Sequence, residues 1–198
     1  MITTRSATLL LALCAAGCAG NRVLVPPRLD LKPYGKLGLV TFTVENAKGS
    51  LHQFATERFE EEVLAAQPGI EILELGPLDS TLDAARAQQL GKQRGVAAVF
   101  AGHLKVTNPQ ASGGIAGLLT PHLEATIRVD LSVRLLSTQS GGTVWRSSAW
   151  ATQKVGQVSL VDGALTFAAR DPKEAYGPLV NRLITLVGED LWSRWQTR

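Results

Sequence analysis

Residues 123–136 alternate without interruption. Ala125, Ile127, Val129, Leu131, Val133 and Leu135 face one way, and Glu124, Thr126, Arg128, Asp130, Ser132 and Arg134 face the other. A strict period of two over this length specifies one long β-strand with a dry face and a wet face. Such a strand needs partners along its edges and a cover for its dry side. Ser140-Gly141-Gly142 supplies a turn, and Thr143 to Lys154 returns as the antiparallel partner.

The segments before this hairpin have a different rhythm. Lys36 to Val44 is apolar and β-rich and reads as a buried strand. After a turn, with Ser50 as candidate N-cap, Leu51, Phe54, Ala55, Phe59, Val63 and Ala66 recur at helical spacing until Pro68-Gly69 stops them. Ile70 to Leu75 alternates as a second strand, and Gly76-Pro77 turns the chain. Asp79 or Ser80 can cap a second helix, with Leu82, Ala85, Gln89 and Leu90 on its inner side and Gly91 to Gly95 at its end. Val96 to Val106 is the most apolar stretch beyond residue 20 and reads as a central strand. Residues 36–106 thus read β-α-β-α-β, which implies a sheet covered by helices.

Thr107 to Pro121, with Pro109, Gly113, Gly114 and Gly117, reads as a loop that exposes Ile115, Leu118 and Leu119. Val155 to Asp171 reads as loop. Pro172 fits the first turn of a last helix. Tyr176, Leu179, Val180, Leu183, Ile184, Val187, Leu191 and Trp195 form its continuous apolar stripe. The fold expected is α/β (α+β): a β-α-β-α-β unit, a long antiparallel hairpin, and a C-terminal helix packed on one mixed sheet.

The N-terminus sets location. Arg5 is followed by an apolar run from Ala7 to Ala16, broken only by Thr8. The run is too short for a transmembrane helix, which needs about 20 apolar residues. A basic start, a short apolar core and small residues before a cut site make a secretory signal peptide. Ala15-Ala16-Gly17-Cys18 resembles the lipobox of bacterial lipoproteins. That resemblance implies cleavage before Cys18, diacylation of its sulfur and, as a rule, acylation (commonly palmitate) of the new amino group. Position 15 is Ala where Leu is commonest. A single acyl chain holds a protein only marginally, at about 0.8 kcal/mol per buried CH₂, so two or three make a durable anchor. Ala19, rather than Asp, follows the cysteine, which by the same resemblance favours the outer membrane. The expected organisation is a signal peptide over 1–17, a lipidated extended tether over 18–33 carrying Pro26, Pro27 and Pro33, and a single periplasmic domain over 34–198.

The two cysteines are Cys14, lost with the signal, and Cys18, consumed by lipid, so no disulfide or cysteine–zinc site is expected in the domain. The net charge of +3 is too small to argue for nucleic acid. His52, His103 and His122 lack the close spacing of a metal site and are read as structural. Glu60, Glu61 and Glu62 point about 100° apart on a helix and cannot converge on one ion. No nucleophile elbow or phosphate-binding loop occurs. No cofactor, metal or small-molecule substrate is implied, and the chain is expected not to be an enzyme. Tryptophan is favoured at binding hot spots, so Trp192 and Trp195, with Ile115, Leu118 and Leu119, are the candidate partner contacts.

One further resemblance spans roughly residues 34–198. Its carriers are Lys36-Leu37-Gly38-Leu39-Val40-Thr41-Phe42, Gln89-Leu90-Gly91, Gly95 to Leu104, Val133-Arg134-Leu135-Leu136-Ser137 and Val144-Trp145. In segment order and in these motifs the chain resembles periplasmic α/β domains of the CsgG/LpoB/TolB-N-terminal type. These include the curli secretion channel subunit and a lipoprotein activator of a peptidoglycan synthase. The resemblance implies a non-enzymatic envelope lipoprotein that binds a partner protein or self-associates. The alternative it raises is a subunit of an oligomeric outer-membrane export channel. In that case the 123–154 hairpin, whose alternation also suits a barrel wall, would line the membrane.

Overall fold

The computed structural model describes residues 22–47, 49–78, 82–112, 124–155, 158–161, 164–167 and 172–197. Two compact units are present. The larger, Arg28–Trp192, is a mixed α/β domain. Its elements are β2 (Lys36–Val40), β3 (Thr43–Glu45), α1 (Leu51–Ala66), β4 (Glu71–Gly76), α2 (Ala84–Arg94), β5 (Ala98–Ser112), β6 (Glu124–Ser137), β7 (Thr143–Val155), the short strands β8 (Val158–Val161) and β9 (Ala164–Phe167), and α3 (Pro172–Gly188). The smaller unit contains the antiparallel ribbon of β1 (Arg22–Val25) and β10 (Arg194–Thr197), with Leu24 opposite Trp195.

The main sheet has the order β4-β2-β5-β6-β7, and β3 continues the β2 side along β5. β2 runs parallel to both β4 and β5, whereas β5, β6 and β7 are antiparallel. From β2 the chain steps outward to β4, then back past β2 to β5. Right-handed crossovers in opposite directions place their helices on opposite faces. Accordingly α1 joins α3 over one face, and α2 packs on the other.

The α1/α3 face holds the main core. Leu51, Ala55, Phe59 and Val63 descend α1 at four-residue steps, and Leu179, Val180, Leu183, Ile184 and Val187 line α3. Beneath them lie Phe100, Leu104, Ile127, Val129, Leu131, Val133 and Leu135. Phe42, Phe59, Phe100 and Trp145 form a chain of ring contacts with centroid spacings of 5.3, 5.2 and 6.1 Å. Gly102 belongs to this packing, since a Cβ there would stand 2.4 Å from the Phe42 ring. The α2 face holds a smaller cluster of Val40, Leu82, Ala87, Leu90, Val96, Val99 and Leu136. A Cβ on Gly91 would lie 2.3 Å from Thr138 Cβ, so glycine is what lets α2 sit against the β6–β7 turn.

The alternation over 123–136 and its antiparallel return over 143–154 are found as β6 and β7. Other expectations need correction. Lys36 to Val44 is two strands. At the break, the Thr41 amide donates to the Gly76 carbonyl and the Phe42 amide to Thr56 Oγ1, so both groups leave the ladder satisfied. α2 is capped by Asp83, which accepts from the Arg86 amide at 2.8 Å, and its inner residues are Ala87 and Leu90, with Ala85 and Gln89 exposed. β5 continues to Ser112, beyond the boundary expected at Val106. The register shifts between Thr107 and Gln110, and this bulge accommodates Pro109, which cannot donate to a regular ladder. Part of 155–171, expected to be loop, forms the β8–β9 pair. The last helix ends at Gly188, so Trp195 is not on its stripe.

Leu29 and Leu31, in the stretch read as tether, are buried in the main core. They are held by Gln67, just past α1. Its Oε1 accepts from the Leu31 amide (2.8 Å), and its Nε2 donates to the carbonyls of Leu29 (2.6 Å) and Leu191 (3.0 Å).

Candidate functional site

Alternate residues of β5, β6 and β7 point away from α1 and α3. At one end α2 covers them. At the other, among the described residues, no helix does. The register arranges the uncovered side chains in rows: Ala101, Arg134 and Arg146; then Thr43, His103, Ser132 and Ser148; then Glu45, Lys105, Asp130 and Trp150; then Thr107, Arg128 and Thr152.

Most of the charges here are paired. Glu45 accepts from Lys105 Nζ at 3.1 Å and lies 3.6 Å from His103 Nε2. The Lys105 hydrogen bond is the main reason that the Glu45 carboxyl titrates below its ordinary range; burial opposes it, and the charges of Lys105 and His103 add to it. Asp130 takes hydrogen bonds from both Arg128 Nε and Arg128 Nη2, the shortest at 2.6 Å. That guanidinium lies 4.6 Å from the centre of the Trp150 ring, a cation–π stack on an indole that remains 59% exposed. Trp150 lies on β7, the last strand of the main sheet. A shallow hollow of about 230 Å³ lies between Trp150 and His103. A larger cavity of about 670 Å³ opens between Arg134, Arg146 and His103 on one side and Val40, Thr41, Leu78 and Leu82 on the other.

His103 is half exposed on this face, with Nδ1 2.9 Å from Thr43 Oγ1. His52 Nδ1 lies 3.1 Å from the Gly49 carbonyl. His122 lies outside the described residues. Among the described residues no group of three or more metal-binding side chains converges.

Cys18, Ile115, Leu118 and Leu119 also lie outside the described residues. Trp192 is partly exposed, and its Nε1 donates to Glu62 Oε1 at 2.7 Å. Trp195 is 67% exposed on the β1–β10 ribbon. The two tryptophans therefore belong to different units and do not share a helix face. Trp150 was not among the expected contacts. Its signal was available, because it falls in the polar register of β7, where an indole has no core to enter.

No described protein family matches the sequence, and neither does any curated protein. Solved structures do resemble the chain. A PelC dodecamer from Paraburkholderia phytofirmans aligns with 13% identity over 88% of this chain and 99% of its own, with a TM-score of 0.45. Lipoprotein GNA1162 from Neisseria meningitidis aligns with 15% identity over 75% and 94%, with a TM-score of 0.41. The LpoB C-terminal domain from Salmonella enterica aligns with 14% identity over 74% and 94%, with a TM-score of 0.37. Among the described residues no helix is long and apolar enough to cross a membrane.

Proposed function

We propose that the protein is a non-catalytic lipoprotein of the bacterial outer membrane, anchored through acyl chains on Cys18. Its periplasmic domain binds a partner protein in cell-envelope assembly or transport. The lipid supplies location and the uncovered sheet face supplies recognition. The observation that carries the recognition half is Trp150, a large indole left in solvent beside a guanidinium already fixed by Asp130. Aromatic and arginine side chains held in place at low entropic cost are the usual anchors of protein interfaces. Trp192 and Trp195, each with exposed indole surface, remain additional contact candidates, with Ile115, Leu118 and Leu119.

The export-channel alternative requires the 123–154 hairpin to offer lipid an apolar face. The apolar residues of β6 are covered by α1 and α3, and its other face carries Arg128, Asp130 and Arg134. This favours the adaptor reading, in which the domain engages its partner as a single unit or as copies of itself.

Two measurements test it. Mass spectrometry of the mature N-terminus should find acyl chains on Cys18, and Cys18→Ala should move the protein from the membrane to the soluble fraction; an unmodified Cys18 sinks the anchor. A photo-crosslinker placed at 150 in intact cells should yield a discrete protein adduct that Arg128→Glu removes. The same probe at 94, on α2, should yield none. Equal adducts from both positions, or none from 150, sink the recognition face.

A further inference from the structure

We infer that the larger cavity is a binding site for a small organic anion, whose phosphate or carboxylate group is held by Arg134 and Arg146. Three independent features meet there.

The first is position. The helix that follows β2 packs on one face of the sheet, and the helix that follows β4 packs on the other. Adjacent parallel strands whose connections part in this way open a crevice at their carboxyl ends, where open α/β sheets take ligands. Val40 and Thr41 at the end of β2, Leu78 after β4 and Leu82 before α2 line that crevice. Its volume, about 670 Å³, falls within the usual range for small-molecule sites.

The second is uncompensated charge. Arg134 and Arg146 are direct cross-strand partners, so two guanidinium-bearing side chains share one row of one face. Like charges directly opposite on a sheet destabilise it. Among the described residues no carboxylate lines the cavity. Two acids described on the same face are committed elsewhere, Glu45 to Lys105 and Asp130 to Arg128. Arg146 is exposed and makes no ion pair among the described residues. An anion between the two would turn a repulsive pair into a clamp.

The third is preparation. Arg134 donates to the Leu82 carbonyl, which fixes its guanidinium at the cavity wall while leaving further donors free. Hydroxyls of Thr41, Thr43 and Ser132 add polar contacts, and Val40, Leu78 and Leu82 offer an apolar wall to the rest of the ligand. Guanidinium forks match phosphate and carboxylate oxygens in pairs.

The test is calorimetric titration of the full lipidated chain in mild non-ionic detergent, at constant ionic strength, with pyrophosphate and separately with citrate. At least one probe should bind saturably at one site. Arg146→Ala should weaken that binding by roughly tenfold or more, the scale of a lost charge-assisted hydrogen bond. Arg134→Ala should weaken it as well, but it also frees the Leu82 carbonyl, so Arg146 is the decisive position. Arg94→Ala, on the far end of α2, removes the same charge and should leave affinity unchanged. Binding of pyrophosphate alone identifies a phosphate site, and binding of citrate alone a carboxylate site. Neither probe binding up to about 10 mM, where only affinities weaker than useful remain, overturns the site. So does equal weakening by Arg94→Ala, which would reduce the effect to net charge. The outcome is independent of the crosslink at 150, because neither arginine contributes to the Trp150 stack.

Discussion

β6 serves two surfaces with one strand. Towards α1 and α3 it presents Ile127, Val129, Leu131, Val133 and Leu135, all buried. Towards the other side it presents Arg128, Asp130, Ser132 and Arg134, none of them buried. The first set is held by the removal of apolar surface from water, at about 25 cal/mol per Å². In the second set Arg128 and Asp130 form an exposed ion pair, which water and salt weaken, and Arg134 donates to the Leu82 carbonyl. The difference teaches where selection for binding has room to act. A side chain on the covered face cannot change without disturbing its neighbours, whereas one on the open face can be chosen for what it contacts.

The largest effect should come from the covered face. Phe59 touches both Phe42 and Phe100 and is fully buried, so Phe59→Ala should destabilise the domain by about 3–5 kcal/mol in urea unfolding. A loss below about 1 kcal/mol would mean that the two faces are not energetically distinct. Next comes a polar clamp of the covered face. Gln67→Leu keeps the volume but strands the Leu31 amide and the carbonyls of Leu29 and Leu191. With roughly 1–3 kcal/mol for each buried group left unpaired, and partial relaxation, a loss of about 3 kcal/mol is expected. It should be accompanied by faster hydrogen exchange at Leu31. Unchanged exchange there would show that the segment is held by Leu29 and Leu31 packing alone.

Gln67 also shows what a sequence can and cannot disclose. Period and alternation revealed β6, β7, α1 and α3, because one-sided burial leaves a repeating mark. Asp83, rather than Asp79 or Ser80, caps α2, since several short polar residues in a row can each cap a helix and only the geometry selects one. Gln67 carries no mark at all: beside Pro68-Gly69 it looks like part of a helix stop, and its three partners are Leu29, Leu31 and Leu191, far away in sequence. The same holds for the open face. Arg134 and Arg146 sit in separate strands, and only the register of β6 against β7 makes them neighbours. Trp150 was legible in principle, as an aromatic in a wet register. Trp195 extends the apolar stripe of α3 in sequence, but the helix has already ended at Gly188.

On the open face, Arg128→Ala should leave the urea-unfolding midpoint nearly unchanged, despite removing the Asp130 hydrogen bonds and the Trp150 stack. The same change should abolish the crosslink from 150. A loss as large as that of Phe59→Ala would make this face structural and would leave recognition without its anchor.

The smallest effects sharpen the comparison through two carboxylates shifted in opposite directions. Glu60, on α1, titrates above its ordinary range because partial burial disfavours its charge and Glu74 and Glu57 repel it. A raised carboxyl pKa means that the folded state holds the proton more tightly than the unfolded chain. Ionised Glu60 therefore opposes folding, and its penalty appears as pH rises from the unfolded value through the folded one. Glu60→Gln should then stabilise the domain at about pH 7 by roughly 0.5 kcal/mol or less, with the gain disappearing at about pH 3. Glu45, on the open face, is lowered by Lys105, so its stabilising contribution is present above the unfolded pKa and is lost as pH falls through the folded one. Glu45→Gln should destabilise slightly at neutral pH and be silent in acid. Paired unfolding curves of the two variants across this range read both signs at once. If Glu60→Gln destabilised at neutral pH, the α1 carboxylate would have to be engaged by a cation, and the covered face would carry a functional charge that its packing gives no reason to expect.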